Sequence, residues 1–210
     1  MKHSIAGIIL AGGLSTRMGG GDKPLAMLEG RPLLAHVMDR LQGQVSAVAI
    51  NANGDPARLA AFALPVVQDS VEGFAGPLAG ILAGLEWASA STDARRILTV
   101  AADSPFFPMN LADRLFAATE GREQRIAVAC SAGRRPPPFA LWPVGLAASL
   151  RSALLDEDER KVGAFIDRHD HVEVDFELQQ IANGSYDPFF NVNTPSDLTE
   201  AARLAQAMRS

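Results

Sequence analysis

A glycine-rich segment directly after the first apolar run carries the residue types that could bind a polyphosphate. Residues 8–25 read IILAGGLSTRMGGGDKPL. Glycine has no Cβ, so phosphate oxygens can approach the backbone N–H groups closely. Arg17 can form two parallel hydrogen bonds to phosphate oxygens, and Lys23 supplies a mobile positive charge. The segment therefore predicts a triphosphate-binding loop whose first residues are Leu10, Ala11, Gly12 and Gly13.

The spacing within this loop differs from the two common nucleotide-binding motifs. A P-loop requires a serine or threonine after its lysine, whereas Pro24 follows Lys23. A dinucleotide fingerprint requires G-x-G-x-x-G opening into a helix, and the sequence Gly12-Gly13-Leu14-Ser15 breaks that spacing. The alternative is a glycine-rich surface turn, which does not explain why so many specific residues occur in one loop.

The composition predicts one sizeable core and excludes several classes of protein. The chain has 210 residues, 48% of them apolar, which favours a single domain over residues 1–210. The net charge of −5 argues against nucleic-acid binding, so an anionic ligand must be held by a local cluster. The lone cysteine, Cys130, excludes an intramolecular disulfide and fits a reducing compartment.

Two segments of the chain bear on its localisation. The first residues lack the length and the cleavage site of a signal peptide. The longest apolar stretch, residues 74–85, contains Pro77 and is too short to span a membrane. We therefore expect a soluble cytoplasmic protein without membrane contact.

Short apolar runs alternate with longer helical patterns, which is typical of α/β proteins with parallel sheets. This rhythm predicts a Rossmann-like three-layer α/β/α sandwich with a mostly parallel central sheet. The candidate strands are residues 5–10, 45–51, 66–68, 96–102, 126–130, 138–142, 172–175 and 189–192. The candidate helices are residues 32–41, 56–62, 77–90, 109–119, 144–155, 162–168 and 195–208.

Polar residues follow the first four predicted strands at the point where each strand ends. In such sheets, ligands bind beyond the carboxyl ends of the strands. The glycine-rich loop, Asn51, Asp69 and Asp103 should therefore line one crevice. We expect residues 1–103 to bind a nucleotide and residues 104–210 to bind a second substrate, the acceptor.

Asp103 is the candidate metal ligand. It follows a buried apolar strand, and Mg²⁺ usually takes one or two protein carboxylates while it keeps substrate oxygens and water. The alternative is that Asp103 caps the turn at Asp103-Ser104-Pro105. Its position beside the glycine-rich loop favours metal binding.

Side-chain amides and a second carboxylate could read the base or the ribose. Asn51 presents paired donors and acceptors at a strand end. We assign Asn53 mostly to a turn, because Asn53-Gly54-Asp55-Pro56 is a strong turn sequence. Asp69 could contact the nucleotide or simply cap its strand. Three glycines share one face of the next helix, which predicts close packing of that helix on the sheet: Gly76, Gly80 and Gly84.

A second polar motif lies near the end of the chain, where residues 190–195 read FNVNTP. Alternation along an extended chain places Asn191 and Asn193 on the same side, facing the crevice. The alternative is a strand that runs into a capped helix. That alternative explains Thr194 and Pro195 but not both asparagines.

The pattern LAGGxSxRMGGxDKxL, together with NVNTP, resembles the signatures of the molybdenum cofactor guanylyltransferase (MobA) family of nucleotidyltransferases. The resemblance covers nearly the whole chain. It implies transfer of GMP from GTP to the molybdenum-bound molybdopterin cofactor, with release of pyrophosphate. The acceptor's ionised phosphate would then be the nucleophile, so no catalytic base is needed.

The resemblance also implies roles for particular residues. The implied catalytic residues are Arg17, Lys23 and Asp103, with Mg²⁺ bound to Asp103. The implied nucleotide-binding residues are Leu10, Ala11, Gly12, Gly13, Lys23, Asn51, Asp69, Gly76, Gly80 and Asp103. The implied molybdopterin-binding residues are Asn191 and Asn193. Because the product is labile, transient contact with molybdoenzymes or their chaperones is also expected.

One loop departs from the family pattern. After the fifth strand, the family often has a histidine-proline-threonine segment, whereas residues 135–139 read RPPPF. Arg134 and Arg135 could pair with the acceptor's phosphate or form a solvated basic loop.

Two other functions remain open at this point. One is a cytidylyltransferase or sugar-nucleotide transferase of the same fold. Related cytidylyltransferases more often have A-A-G in the first loop and acidic residues in place of the two asparagines. This chain has A-G-G and two asparagines, and both differences favour GTP as the donor. The other is a carrier that binds the molybdopterin cofactor without turnover.

Overall fold

The computed structural model describes residues 4–12, 22–71, 73, 76–182 and 184–209, so the predicted site residues Gly13 and Arg17 lie outside it. The strands, in chain order, are β1 (Ile5–Leu10), β2 (Met27–Leu28), β3 (Arg31–Pro32), β4 (Ala47–Asn51), β5 (Val66–Val67), β6 (Arg96–Ala101), β7 (Ile126–Cys130), β8 (Ala140–Pro143), β9 (His171–Asp175), β10 (Gln179–Ile181) and β11 (Gly184–Tyr186). The α-helices are α1 (Leu33–Gln42), α2 (Pro77–Ser91), α3 (Leu111–Ala118), α4 (Ala147–Leu155), α5 (Val162–Asp167) and α6 (Pro195–Ala207).

Seven strands form the central sheet in the order β5-β4-β1-β6-β8-β7-β9. Strand β8 is antiparallel to both of its neighbours, whereas the other neighbouring strands run parallel. In the middle of the sheet, Ile9 of β1 pairs with Ile50 of β4 and Val100 of β6. The predicted α/β architecture with a mostly parallel sheet is confirmed.

Helices cover both faces of this sheet. Helices α1 and α3 pack on one face, and α2, α4 and α5 pack on the other. Alternate residues of β1 point into the two layers, with Ile9 in the first and Ile8 in the second. Because both faces are covered, the central strands are almost continuously apolar.

A third apolar cluster joins the β2–β3 hairpin to α6 and to the chain just before α6. Its buried members are Leu28, Leu33, Phe106, Val192, Ala201 and Leu204. Helix α6 begins in a capping box, in which Thr194 accepts a hydrogen bond from the backbone of Asp197 and Asp197 binds the backbone of Thr194. The segment before α6 is thereby held against the end of β6.

Several details of the prediction are wrong. Residues 189–192 form no strand, because the chain turns at Phe189, where the Phe190 N–H donates to Asp187 O at 3.0 Å, and the segment does not join the sheet. Pro56–Phe62 and Val144–Leu146 are 3₁₀ helices. The hairpins β2–β3 and β10–β11 were not expected, since strands of two or three residues carry no detectable period. The predicted bounds of β1 and β7 are exact, and, apart from the 3₁₀ segment before α4, those of the other predicted strands and α-helices differ by one or two residues.

A search of the described helices finds none that combines the length and apolar character needed to cross a membrane.

The close approach of α2 to β1 can be tested with one methyl group. A Cβ at Gly84 of α2 would lie 2.7 Å from Cγ1 of Ile8. We expect Gly84→Ala to lower the free energy of unfolding by about 1–3 kcal/mol, as overpacked cores do. The matched control is Gly163→Ala in α5, where a Cβ would meet nothing within 4 Å. That control should be neutral or stabilising by about 0.4–1 kcal/mol. Urea unfolding measures both variants, and equal effects would contradict the packing described.

Candidate active site

The carboxyl ends of β1, β4, β5 and β6 meet at one edge of the sheet. Backbone hydrogen bonds tie these ends together just beyond the strands. The Ala11 N–H donates to Asn51 O at 2.9 Å, and the Ala102 N–H donates to Leu10 O at 3.1 Å. The Ala52 N–H donates to Val67 O at 3.0 Å. The polar residues that follow these strands are therefore neighbours, as the strand order requires.

Two asparagine amides hold the Asp69 carboxylate. Asn51 is buried, and its Nδ2 donates to Oδ1 of Asp69 at 2.8 Å and to Val67 O at 3.2 Å. Asn53 Nδ2 donates to the second carboxylate oxygen at 2.8 Å, and the Asp69 N–H donates back to Asn53 Oδ1 at 2.9 Å. Both oxygens of Asp69 are thus oriented by amide donors. Asn53 therefore helps to orient Asp69, whereas its sequence context predicted mostly a role in a turn.

Gly80 allows α2 to lie directly against this amide. A Cβ at Gly80 would lie 2.2 Å from Asn51 Oδ1 and 3.0 Å from Leu10 Cδ2. A Cβ at Gly12 would lie 3.5 Å from the same amide oxygen. Gly76 immediately precedes α2, and a Cβ there would meet none of the described residues within 4 Å. Close packing therefore accounts for Gly80, whereas the surroundings of Gly76 are open.

Lys23 joins the two halves of the crevice. Its Nζ forms an ion pair with Oδ2 of Asp103 and donates a hydrogen bond to Asn193 Oδ1 at 2.7 Å. The side chains of Lys23 and Asp103 are each 19% exposed, so water screens this pair less than a surface pair. Lys23 begins a short 3₁₀ helix, Lys23–Leu25, in which Pro24 is buried.

The segment that contains the two asparagines lies across the end of β6. The Val192 N–H donates to Asp103 O at 2.9 Å. The hydroxyl of Ser104, which is fully buried, donates to Asn191 Oδ1. Asn191 and Asn193 therefore both reach towards residues beside Asp103, although this segment is not a strand.

Ser104 is a site residue that sequence reasoning missed. Only its position next to Asp103 could have indicated it, because its partner is 87 residues further along the chain. Asp197 supports the same segment from the other side. Its Oδ2 accepts hydrogen bonds from the backbone N–H groups of Asn193 and Thr194, both at 2.8 Å. The hydrogen bond from Asn193 lowers the pKa of the Asp197 carboxyl, so this support persists at neutral pH.

The basic loop after β7 is only partly available to a ligand. Arg135 donates to Glu173 Oε1 at 2.6 Å and to Asp167 Oδ1 at 2.5 Å. The hydrogen bond to Asp167 raises the pKa of Arg135 and lowers the pKa of Asp167. The positive charge of Arg135 is thus already paired at the β9 edge. Arg134 is exposed, and no partner of its side chain occurs among the residues that the structure describes.

Cys130 has the properties of a core residue at this same edge. The side chain is buried, and its Sγ donates a hydrogen bond to Glu173 Oε2 at 3.2 Å. Burial raises the pKa of the thiol to about 12, so it is protonated at neutral pH. A protonated thiol is a poor nucleophile, which removes Cys130 from the candidates for covalent catalysis.

The described residues contain no group of three or more His, Cys, Asp or Glu side chains that could hold a metal ion. Asp103, at the end of β6, therefore belongs to no such group among the described residues. Mg²⁺ usually takes one or two protein carboxylates and completes its coordination with substrate oxygens and water.

Known proteins with similar sequences indicate the family to which this chain belongs. A family model described as MobA-like NTP transferase domain matches residues 7–172. A molybdenum cofactor guanylyltransferase of Mesorhizobium japonicum is 55% identical over 210 residues, covering 100% of both chains. A protein of the same name from Rhodopseudomonas palustris is 53% identical and covers 94% of this chain and 92% of its own.

Solved structures with low sequence identity share the fold. Molybdopterin-guanine dinucleotide biosynthesis protein A of Archaeoglobus fulgidus superposes with a TM-score of 0.73 at 21% identity, covering 96% of this chain and 98% of its own. The 4-diphosphocytidyl-2C-methyl-D-erythritol synthase of Anaerococcus prevotii has a TM-score of 0.70 at 14% identity, covering 98% and 97%. These likenesses confirm the nucleotidyltransferase fold. With the full-length relatives, they place this chain among the nucleotidyltransferases, in the molybdenum cofactor guanylyltransferase family.

Proposed function

We propose that this chain transfers GMP from GTP to the molybdenum-bound molybdopterin cofactor and releases pyrophosphate. The contact of Lys23 with both Asp103 and Asn193 carries the proposal, because it joins the phosphate-binding loop to the acceptor motif. Relatives of 55% and 53% identity that bear the name molybdenum cofactor guanylyltransferase support the choice of substrates. Under this proposal, residues 1–103 bind the donor and residues 104–210 bind the acceptor within one domain.

Asp69 is the proposed contact for the guanine base or its ribose. Each of its oxygens accepts one amide hydrogen bond and retains capacity for another donor. Asn51 and Asn53 hold the carboxylate in one orientation, which lowers the entropic cost of ordering it when the nucleotide binds. Gly76 is exposed at the start of α2, where we assign it to the approach of the base, and Gly80 brings α2 against Asn51, which holds Asp69.

The loop after β1 is the proposed binding site for the triphosphate. The backbone of Leu10, Ala11 and Gly12 lies at the carboxyl end of β1, and Gly13 and Arg17 follow in the part of the loop assigned by sequence alone. Lys23 and Arg17 would neutralise the charge that develops on the departing pyrophosphate. One such contact typically contributes roughly 10²- to 10³-fold to the rate.

Asp103 fits the requirements of a Mg²⁺ ligand. Its carboxylate already accepts the ammonium group of Lys23, so the position can bind a cation. A single protein carboxylate suits Mg²⁺, which prefers to keep phosphate oxygens and water in its coordination shell. When bound, the ion would supply positive charge to the phosphate oxygens. Lys23 would then turn from Asp103 towards the triphosphate.

Asn191 and Asn193 are the proposed contacts for the acceptor. Their Oδ1 atoms accept hydrogen bonds from Ser104 and Lys23, and their Nδ2 groups, which have no partner among the described residues, would donate to the acceptor. A phosphate oxygen of the acceptor attacks the α-phosphorus of GTP. The bond from that phosphorus to the oxygen bridging the β-phosphate breaks, and pyrophosphate leaves with its electrons. Catalysis is then positioning and charge neutralisation, with no protein nucleophile.

Pyrophosphate release tests the proposed reaction. The chain is incubated anaerobically with the molybdopterin acceptor and Mg²⁺, separately with GTP, CTP, ATP and UTP. We expect release with GTP, accompanied by the guanine dinucleotide product. Release with CTP only would assign the chain to cytidylyl transfer. No release with any nucleotide, despite binding of the acceptor, would favour a carrier.

Lys23→Ala should lower turnover by roughly 10²- to 10³-fold while GTP binding is largely retained, because the lost contact acts mainly on the leaving pyrophosphate. Turnover is followed by pyrophosphate release, and GTP binding by calorimetry. Lys161→Ala is a matched control, since Lys161 is an exposed lysine just before α5. Near-normal turnover of Lys23→Ala would contradict the role assigned to this lysine.

A further inference from the structure

Arg58 lies between β4 and β5 and contacts the residue that immediately precedes Lys23. Its Nη1 forms an ion pair with Oδ2 of Asp22, and both side chains are 28% exposed. Its Nη2 donates to the backbone oxygen of Asn53 at 3.3 Å. Neither Arg58 nor Asp22 has a role in the function proposed so far.

Asp22 occupies a position where its carboxylate would ordinarily serve the backbone. It is the N-cap residue of the Lys23–Leu25 helix, and an aspartate there commonly accepts a backbone N–H. The Asp22 side chain makes no such capping bond. Its carboxylate contacts Arg58 instead, so Arg58 determines how the start of this helix is held.

The backbone that carries Arg58 is itself firmly anchored. The 3₁₀ helix Pro56–Phe62 begins with a side-chain cap, in which Asp55 accepts from the Ala57 N–H at 2.9 Å. Leu59, the next residue after Arg58, is fully buried in the core. The side chain of Arg58 therefore extends towards Asp22 from an anchored backbone.

Lys23 is consequently fixed from both sides. On one side, the carboxylate of Asp22 is held by Arg58. On the other side, Pro24 is buried, and the Leu25 N–H donates back to Asp22 O at 2.9 Å. Because the backbone of Lys23 is already held, only the rotamer entropy of its side chain is lost when the ammonium group is placed.

We propose that Arg58 is a positioning residue that acts through Asp22 to hold Lys23 where the pyrophosphate departs. This inference rests on the proposed function, because Lys23 is assigned there to the leaving group. The inference assigns Arg58 no contact with substrate. Its effect should therefore fall on kcat, whereas an effect through Asn53 and the base subsite would raise KM for GTP.

The kinetic test is Arg58→Gln, which removes the charge and keeps part of the side chain. We expect kcat to fall about three- to tenfold with KM for GTP unchanged. In a Lys23→Ala background, Arg58→Gln should have no further effect on kcat. Asp22→Asn should reproduce the loss, and the Asp22→Asn/Arg58→Gln double variant should be no slower than either single variant.

A second readout does not depend on turnover. The chain has three lysines, Lys2, Lys23 and Lys161, so ¹³C labelling at lysine Cε gives few NMR signals. Arg58→Gln should shift the Lys23 signal and leave that of Lys161 in place. The matched control is Arg31→Gln, which breaks the half-exposed pair of Arg31 with Asp39 at 2.8 Å and should leave the Lys23 signal unchanged.

The outcomes separate this inference from the proposed function. A wild-type chain without GTP-dependent turnover would refute the function, and the Lys23 signal would still report on Arg58. An unchanged Lys23 signal in Arg58→Gln would overturn the role of Arg58. So would a raised KM with normal kcat, or full additivity of Arg58→Gln with Lys23→Ala.

Discussion

The contact of the Lys23 ammonium group with the Asp103 carboxylate and the Asn193 amide is the interaction on which the rest of the site depends. The chain has a net charge of −5, so its overall field does not attract an anionic substrate. Positive charge has to be concentrated locally, where partial burial reduces screening by water. Lys23 places that charge where the loop after β1, the end of β6 and the segment before α6 meet.

The strand order explains why these distant parts of the chain converge. Strand β1 lies between β4 and β6, so the carboxyl ends of all three are adjacent. Strand β8 separates β7 from β6, which moves the loop after β7 away from this centre. Arg135 follows β7 and is paired with Asp167 and Glu173, which agrees with the proposal that Asn191 and Asn193 contact the acceptor.

Local sequence was sufficient to predict the architecture and the strand-end residues such as Asp103, because long apolar runs and their endpoints are local signals. It was not sufficient for residues that depend on remote partners. The hydroxyl of Ser104 contacts Asn191 across 87 residues, and Arg58 contacts Asp22 across 36 residues. Only the folded sheet brings such pairs together. The two short hairpins were not predicted for a different reason. Alternation of apolar and polar residues indicates a strand only over about four residues or more, and their strands are shorter than that.

A crystal structure with a non-hydrolysable GTP analogue and Mg²⁺ would show whether donor and acceptor meet at Lys23 and Asp103. We expect the triphosphate against Lys23, the metal ion on Asp103, and the base or ribose beside Asp69. A nucleotide bound at the opposite edge of the sheet would refute the proposed site. So would a triphosphate that makes no contact with Lys23.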